Sequence, residues 1–268
     1  MIMSDTAEKT KMKLAIIGVG TIGSALYRWL ERHNPEVEIV LHDPEKGMNR
    51  PDVYEDPCID AYFVCVNVDT DKHQGQDILE FMEDVLVHLK YKNTPVYIRS
   101  TILPKYLQKI KAILGLTNIH FLPEFLTERD ADDDMERLPL FVPTGSTTLL
   151  SKIFPGKILF EMSDDELMTV KYFHNLFGAM KVTFFNCVKS FCDENELDFQ
   201  RVVKAIVDTK HISSSYTQVP GPDGKFGYGG KCFPKDIRAF RLGYPDSDMS
   251  YLLDSVEQLN TMFRKEDK

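Results

Sequence analysis

The protein has 268 residues and a mass of 30.8 kDa, with 43% hydrophobic and 27% charged residues. This composition is typical of a soluble globular protein and excludes the disordered and fibrous classes. Its 32 Lys and Arg against 41 Asp and Glu give a net charge of -9, which argues against a broad nucleic-acid-binding surface. No apolar run approaches a membrane span, and the N-terminus lacks the apolar centre of a signal peptide.

The first half of the chain alternates strand and helix patterns. An apolar run over 13–20 predicts a buried strand, residues 21–34 predict a helix, and 37–43 predict a second strand. Further strands are predicted at 61–66, 95–100, 118–123 and 139–145, and helices at 77–89 and 105–114. The acidic stretch 130–137 is interpreted as a solvated loop. We therefore predict an α/β fold with a Rossmann-like, doubly wound parallel sheet over residues 12–160.

The second half, residues 161–268, has helical periodicity instead. A cap-like Ser163 opens one long helical pattern over 163–195, and a second pattern follows at 199–207. A glycine-rich loop is predicted at 221–236, before a last amphipathic helix at 250–263. This half is predicted to be an all-helical domain.

A GxGxxG motif, residues 18–23, follows the first strand and opens the first helix. In this context Gly18 allows the tight turn, Gly20 lets a pyrophosphate approach the backbone, and Gly23 permits close packing of helix on strand. Thr21 and Ile22 begin the helix and complete the predicted cofactor loop. The alternative is a tight turn that binds nothing.

Asp43 ends the second predicted strand, 20 residues after Gly23. A carboxylate at this position accepts hydrogen bonds from a ribose 2'-hydroxyl and repels a 2'-phosphate. We therefore predict NAD rather than NADP as the cofactor.

Cys232 lies among glycines and between Lys231 and Lys235, which would favour its thiolate form. We interpret it as a nucleophile, because crowded glycines usually mark the close approach of a ligand. Asp236 either acts on water or begins a helix. The other four cysteines, Cys58, Cys65, Cys187 and Cys192, are interpreted as buried structural residues. Five cysteines without a CxxC pair favour a reducing compartment, so we expect a cytoplasmic protein, and seven scattered histidines predict no metal site.

Lys171 and Asn175 are spaced i, i+4 on the long helix and therefore share a face, with Gly178 leaving room for a ligand. They could bind one oxyanion, although a surface lysine on a solvated helix is the commoner meaning of such a pair. Thr101, Glu124 and Glu128 follow strands at the carboxyl edge of the sheet, where ligands bind in doubly wound folds. Otherwise Thr101 and Glu128 would cap the next helices.

Five segments in chain order resemble the UDP-glucose 6-dehydrogenase family, which includes GDP-mannose and UDP-N-acetylmannosamine members. They are IIGVGTIG, RSTILP, PEFLTE, VKYFHN and GYGGKCFPKD, and the last is highly specific. The resemblance covers the NAD-binding and central domains of the family, and we expect the chain to lack its C-terminal UDP-binding domain.

The family oxidises a primary alcohol twice with two NAD molecules. The resemblance implies that Cys232 is the nucleophile, that Lys171 and Asn175 stabilise an oxyanion, and that the remaining catalytic candidates hold water and move protons. These candidates are Thr101, Glu124, Glu128 and Asp236, of which Thr101 and Glu128 also border the cofactor.

The implied substrate is a nucleotide sugar or a smaller sugar alcohol, and the implied assembly is a homodimer that pairs through its central helices. Neither nucleic acid nor a membrane is an expected partner. Two alternatives remain open. One is a two-electron 3-hydroxyacid-type dehydrogenase that needs no thiol, and the other is an NAD-binding protein without turnover.

Overall fold

The computed structural model describes residues 11–68, 82, 84–89 and 93–265. Of the predicted helix at 77–89, residues 77–81 and 83 lie outside the described residues, and residues 82 and 84–86 are helical. The described chain forms two compact units, one made of residues up to Lys171 and the other of residues from Tyr172 onward. The predicted domain boundary at 160/161 stays a prediction.

The first unit contains a five-stranded parallel sheet with the order β2-β1-β3-β4-β5. Its strands are β1 (Lys13–Ile17), β2 (Glu38–His42), β3 (Ala61–Val64), β4 (Val96–Ile98) and β5 (Ile119–Phe121). The chain reverses direction of winding between β1 and β3, so the ligand-binding crevice of such a sheet is expected there. The predicted Rossmann-like α/β fold is confirmed.

Both faces of this sheet are buried, which explains the continuous apolar runs of its strands. Ala15 and Ile17 of β1 belong to the hydrophobic core on one face, whereas Leu14 and Ile16 belong to the core on the other. The strands are in register at their carboxyl ends, where Ile17 pairs with His42 and Val64. The residues that follow these strands therefore lie along one edge.

A second, two-stranded parallel sheet pairs β6 (Leu140–Pro143) with β7 (Leu159–Met162). The sequence prediction missed β7, a strand of only four residues in which Glu161 interrupts the apolar residues and all side chains are half-buried or exposed. The helices of this unit are α1 (Thr21–His33), α2 (Pro104–Leu114), α3 (Ala131–Arg137) and α4 (Thr147–Ile153).

The interpretation of residues 130–137 as a loop is wrong, because α3 occupies them. Three aspartates lie in its first turn and Arg137 lies in its last, which is the charge distribution that a helix dipole favours. Asp134 is also buried, and its carboxylate accepts hydrogen bonds from the N–H and hydroxyl of Thr127. The charge pattern of this segment is therefore a helix signal.

The long helix α5 (Asp164–Glu194) is 31 residues in length and carries the chain from the first unit into the second. It starts with the predicted capping box. The Ser163 N–H donates to Glu166 at 2.9 Å, and the Glu166 N–H donates to the Ser163 hydroxyl at 3.3 Å. Proline is absent from the helix interior, so the backbone hydrogen bonds continue without a break.

The second unit adds α6 (Phe199–Asp208), α7 (Cys232–Gly243) and α8 (Asp248–Lys265). The prediction of a loop over 221–236 is wrong in its last five residues, since α7 begins at Cys232. The helix tolerates Pro234 because it lies in the first turn, where the backbone N–H has no intrahelical partner. Among the described residues, no helix is long and apolar enough to cross a membrane.

Candidate active site

The three glycines of the β1–α1 turn differ in what surrounds them. Gly18 has φ +88°, and a Cβ there would lie 2.9 Å from the backbone of Cys65 and Val66. A Cβ on Gly23 would overlap the carbonyl oxygen of Gly18, whereas a Cβ on Gly20 would meet nothing within 4 Å. Gly20 is also the N-cap of α1, so its surroundings leave room for a phosphate at the helix N-terminus.

Asp43 directly follows β2 and binds to this turn. Its Oδ2 accepts the Val19 N–H at 2.7 Å, and its Oδ1 accepts the Lys46 N–H at 3.3 Å. The Lys46 ammonium donates in turn to the Val19 carbonyl. The structure therefore brings the predicted acidic residue against the predicted glycine turn.

A cavity of about 440 Å³ lies beside the residue that follows Asp43. It is lined by His42, Pro44, Asn49, Pro51, Tyr54, Glu55 and His88. The Tyr54 ring centroid lies 5.2 Å from that of His42 and 5.1 Å from that of His88. The wall is thus aromatic on one side and suits a flat ring.

Lys171 forms a buried ion pair with Glu124. Its ammonium donates to the Glu124 carbonyl at 2.6 Å and to Glu124 Oε1 at 2.8 Å, and Oε2 accepts the Leu126 N–H at 2.7 Å. The two side chains are 3% and 4% exposed. Lys171 is therefore not the solvated surface lysine that spacing alone favours. Glu124 holds the ammonium in place and has both carboxylate oxygens engaged.

The sequence analysis did not select Arg99, which follows β4 and is 1% exposed. Within the described part of the chain, its Nε and Nη1 have no hydrogen-bond partner. Burial lowers the pKa of the guanidinium, and the charge of Glu124 opposes that shift. Its neighbour Cys65 is equally enclosed, and burial raises the pKa of that thiol to about 12, as expected of an inert structural cysteine.

Thr101 and Glu128 do not cap the helices that follow them. The N-cap of α2 is Leu103, and the N-cap of α3 is Asp130. Thr101 is half-buried in the segment after β4, and Glu128 is exposed in the bend before α3. The capping interpretation is therefore wrong for both residues.

Cys232 is exposed and is the first residue of α7. A helix N-terminus stabilises a thiolate, because the helix dipole is positive at that end. Cys58 is also exposed, in a turn where Asp56 accepts its N–H, so the prediction of a buried Cys58 is wrong. None of the five cysteines forms a disulfide, and all five lie in the described part of the chain.

Asp236 lies one turn after Cys232 and is completely buried. Its Oδ2 accepts from the Asn175 amide at 2.6 Å, and its Oδ1 accepts from the Lys235 ammonium at 2.7 Å. Because a carboxylate only accepts, this contact fixes the orientation of the Asn175 amide. Lys235 is thus a partner of Asp236, a contact that the sequence did not reveal.

The space beside Gly178 is filled by the protein itself. A Cβ on Gly178 would lie 2.7 Å from Cζ of Phe233, the residue after Cys232. The expectation that Gly178 leaves room for a ligand is therefore wrong. The glycine instead lets the start of α7 pack against α5.

The structure brings the predicted residues together in two groups. Lys171 and Glu124 form one group, and Cys232, Asp236 and Asn175 form the other; helix α5 supplies a member of each, one turn apart. Among the described residues, no three His, Cys, Asp or Glu side chains are arranged to hold a metal ion.

Comparison with known proteins identifies relatives of this chain. Residues 166–262 match the central domain of the UDP-glucose/GDP-mannose dehydrogenase family. The chain is 28% identical over 295 residues to UDP-glucose 6-dehydrogenase of Campylobacter jejuni, a match that covers 95% of this chain and 73% of the relative. Residues 166–262 therefore match this family's central domain, and nearly the whole chain is similar to one of its members.

Solved structures have the same fold as this chain. A UDP-glucose dehydrogenase from Pyrobaculum islandicum aligns with a TM-score of 0.74 and 20% identity, covering 96% of this chain and 69% of that chain. The 3-hydroxyisobutyrate dehydrogenase of Mycobacterium tuberculosis aligns with a TM-score of 0.67 and 13% identity, covering 94% and 95%. The fold is common to both classes of enzyme, so fold alone does not distinguish them.

Proposed function

We propose that this protein is an NAD-dependent dehydrogenase that oxidises the primary alcohol of a nucleotide sugar to the uronic acid. The observation that carries the proposal is the exposed thiol of Cys232 at the start of α7, one turn before the buried Asp236. An alcohol dehydrogenase that stops at the carbonyl needs a base but no thiol. A thiol nucleophile allows the same enzyme to continue to the acid.

The cofactor is NAD, which accepts a hydride from the substrate carbon in each oxidation. The open surroundings of Gly20 and the N-terminus of α1 receive its pyrophosphate. Asp43 binds the adenosine ribose, and the adjoining cavity lined by Pro44 and Tyr54 receives the adenine. Thr101 and Glu128 border the cofactor from the carboxyl edge of the sheet.

In the first oxidation, the alcohol loses its hydroxyl proton and a hydride and becomes the aldehyde. Lys171 and Asn175, one turn apart on α5, stabilise the negative charge that develops on the substrate oxygen. Glu124 keeps the Lys171 ammonium in position through its buried ion pair. The protein contributes orientation and charge stabilisation to this step.

In the second oxidation, the Cys232 sulfur forms a bond to the aldehyde carbon and gives a thiohemiacetal. Loss of a second hydride leaves a thioester, and water then attacks the acyl carbon, breaks the carbon–sulfur bond and releases the thiolate and the acid. Thr101, Glu128 and Asp236 hold this water and move its protons. The sum is one alcohol, two NAD and one water converted to one carboxylate, two NADH and three protons.

The test is the number of NADH molecules formed per substrate consumed, followed at 340 nm with a panel of UDP- and GDP-sugars. We expect two NADH per substrate from the wild type. In the Cys232→Ala variant the rate of acid formation should fall at least about 10³-fold, because no other group can form the thioester. Cys58→Ala removes the other exposed thiol and should retain the wild-type rate.

One NADH per substrate, unaffected by Cys232→Ala, would assign the protein to the two-electron 3-hydroxyacid type instead. Absence of turnover across the panel, with NAD binding retained in calorimetry, would support a binding role. Both outcomes contradict the four-electron proposal.

We also propose that the protein is a homodimer that pairs through α5. Phe177, Phe184 and Phe191 recur every seven residues and are 65%, 55% and 59% exposed, so they form one apolar stripe along the helix. Monomers rarely expose such a stripe, and the resemblance implies pairing through the central helices. Light scattering should give twice the chain mass, and Phe184→Glu should give the monomer. A wild-type monomer at all concentrations would contradict the proposal.

Five cysteines without a disulfide support a cytoplasmic location, because oxidising compartments favour disulfides. Retention of five titratable thiols in protein purified without reductant is the corresponding check.

A further inference from the structure

The backbone of the glycine-rich loop before Cys232 is bound by side chains from α8. Asn260 Oδ1 accepts the Tyr228 N–H at 2.7 Å, and Asn260 Nδ2 donates to the Tyr228 carbonyl at 3.2 Å. One amide side chain thus satisfies both polar groups of one loop residue. The side-chain amide thus pairs with the Tyr228 backbone as a neighbouring strand would, with one hydrogen bond to the N–H and one to the carbonyl.

Arg264, one turn further along α8, binds the same stretch. Its Nε donates to the Tyr228 carbonyl at 3.1 Å, its Nη2 donates to the Gly227 carbonyl at 3.3 Å, and its Nη1 donates to Asp223 Oδ2 at 2.8 Å. A guanidinium presents several donors in one rigid plane, so it can hold three acceptors at once. A lysine has its three donors on one nitrogen, so it lacks this planar spread of donors.

Two glycines of the loop lie directly against these two side chains. A Cβ on Gly227 would overlap Asn260 Oδ1, and a Cβ on Gly229 would overlap Nη2 of Arg264. On its other side, Gly227 donates its N–H to Asn186 Oδ1 of α5 at 2.8 Å. The backbone at 227–228 is therefore held from two helices.

We infer that Asn260 and Arg264 are positioning residues that fix the Gly227–Tyr228 backbone and, through it, the Cys232 thiol. The inference rests on the proposed role of Cys232. Only Gly229, Gly230 and Lys231 separate Tyr228 from Cys232. Two of these three are glycines, whose backbone is permissive, so fixing Tyr228 removes much of the freedom that the loop would otherwise have.

The experiment measures the alkylation rate of the Cys232 thiol and the turnover rate of the enzyme separately. All variants carry Cys58→Ala, so that Cys232 is the exposed thiol, and peptide mass spectrometry follows its alkylation by iodoacetamide. We expect Arg264→Gln and Asn260→Ala to change the alkylation rate at least about 3-fold. We expect kcat to fall about 10- to 100-fold with an unchanged KM for NAD, because nucleophile misplacement affects the chemical step.

Graded variants separate positioning from mere loss of structure. Arg264→Lys keeps the charge and one donor nitrogen. It should recover part of the lost kcat. Asn260→Asp keeps an acceptor for the Tyr228 N–H but places an oxygen against the Tyr228 carbonyl, so it should recover less.

Arg241→Gln is the matched control. Arg241 joins α7 to α8 through Asp254 and Glu257, and the change removes the same charge from the same helix pair. It should leave the Cys232 alkylation rate and kcat within about 2-fold of the wild type.

Wild-type alkylation and wild-type kcat in Arg264→Gln and Asn260→Ala would overturn the inference. If these variants fail to fold, as judged by circular dichroism, the same measurements on Arg264→Lys decide. Wild-type alkylation and kcat in Arg264→Lys would overturn the inference, and a reduced kcat with an unchanged KM for NAD would support it. Changed alkylation in a protein whose wild type forms no NADH would contradict the proposed function while supporting the positioning of the thiol.

Discussion

This sequence has two glycine-rich segments, and Gly20 of the first differs from Gly227 and Gly229 of the second in what occupies its side-chain space. In the β1–α1 turn, Gly20 has open space where its side chain would be. In the loop before Cys232, the corresponding spaces at Gly227 and Gly229 are taken by Asn260 and Arg264 of the same chain. The first segment leaves room for a cofactor at Gly20, whereas the second leaves room at Gly227 and Gly229 for the protein's own side chains.

This difference corrects one argument from the sequence. Crowded glycines around Cys232 suggested the close approach of a ligand, and at Gly227 and Gly229 the structure shows side chains there instead. The resemblance to a dehydrogenase motif was the sounder reason for selecting Cys232. A glycine indicates that something approaches the backbone, but the sequence does not say whether it is a ligand or a neighbouring helix.

Gly23→Ala should have the largest effect of the glycine substitutions. Its Cβ would overlap the Gly18 carbonyl oxygen, which is backbone and cannot rotate away. We expect the free energy of unfolding to fall by about 3 kcal/mol or more. Urea denaturation measures it. A variant of wild-type stability would show that the turn does not depend on close helix–strand packing.

Gly178→Ala tests a third glycine, after Gly227 and Gly229, whose side-chain space is occupied by the protein itself. The new Cβ would lie 2.7 Å from the Phe233 ring, so α7 or the ring must shift. Overpacking of this kind costs about 1–3 kcal/mol, partly offset by about 1 kcal/mol from the better helix propensity of alanine. Thermal unfolding measures the net loss. The double variant Gly178→Ala with Phe233→Leu should recover part of it, and a stabilised single variant would contradict the packing argument.

Gly20→Ala should leave the fold intact and weaken the cofactor instead. Gly20 has φ -71° and ψ -160°, which alanine adopts readily. We expect stability to change by less than about 1 kcal/mol, the ordinary cost of alanine at an N-cap. The Kd for NAD should rise about 10-fold, equivalent to about 1.4 kcal/mol. Calorimetric titration measures the Kd, and unchanged affinity would show that the pyrophosphate does not lie against Gly20.

Much of the fold could be predicted because its signals are local. Buried strands such as β1 and the capping box at Ser163 produce patterns within a few residues. Helix α7 could not be predicted, since glycines precede it and Pro234 lies in its first turn. The strand β7 was missed because its residues face solvent in part.

The candidate site was predictable in its residues but not in its contacts. The spacing of Lys171 and Asn175 places them on one helix face, yet Glu124 is 47 positions before Lys171, and Asp236 is 61 positions after Asn175. Contacts over such separations depend on how the elements pack, which spacing does not encode. Arg264 belongs to no motif, and Arg99 begins the segment RSTILP, but only the structure reveals the surroundings of these two residues.

The smallest effect is expected for Asp223→Asn, which weakens one anchor of the Cys232 loop. Partial burial alone would raise the pKa of the Asp223 carboxyl, but hydrogen bonds from Arg264 and the Lys225 N–H outweigh it and lower the pKa below its usual value. A lowered folded-state pKa stabilises the fold above the unfolded-state pKa, and this contribution is lost as pH falls through the folded-state value. Because the pair is partly exposed, we expect about 0.5 kcal/mol at pH 7. The difference between wild type and variant in urea denaturation should shrink toward pH 3. A difference that stays constant with pH would mean that the loop does not depend on the ionised carboxylate.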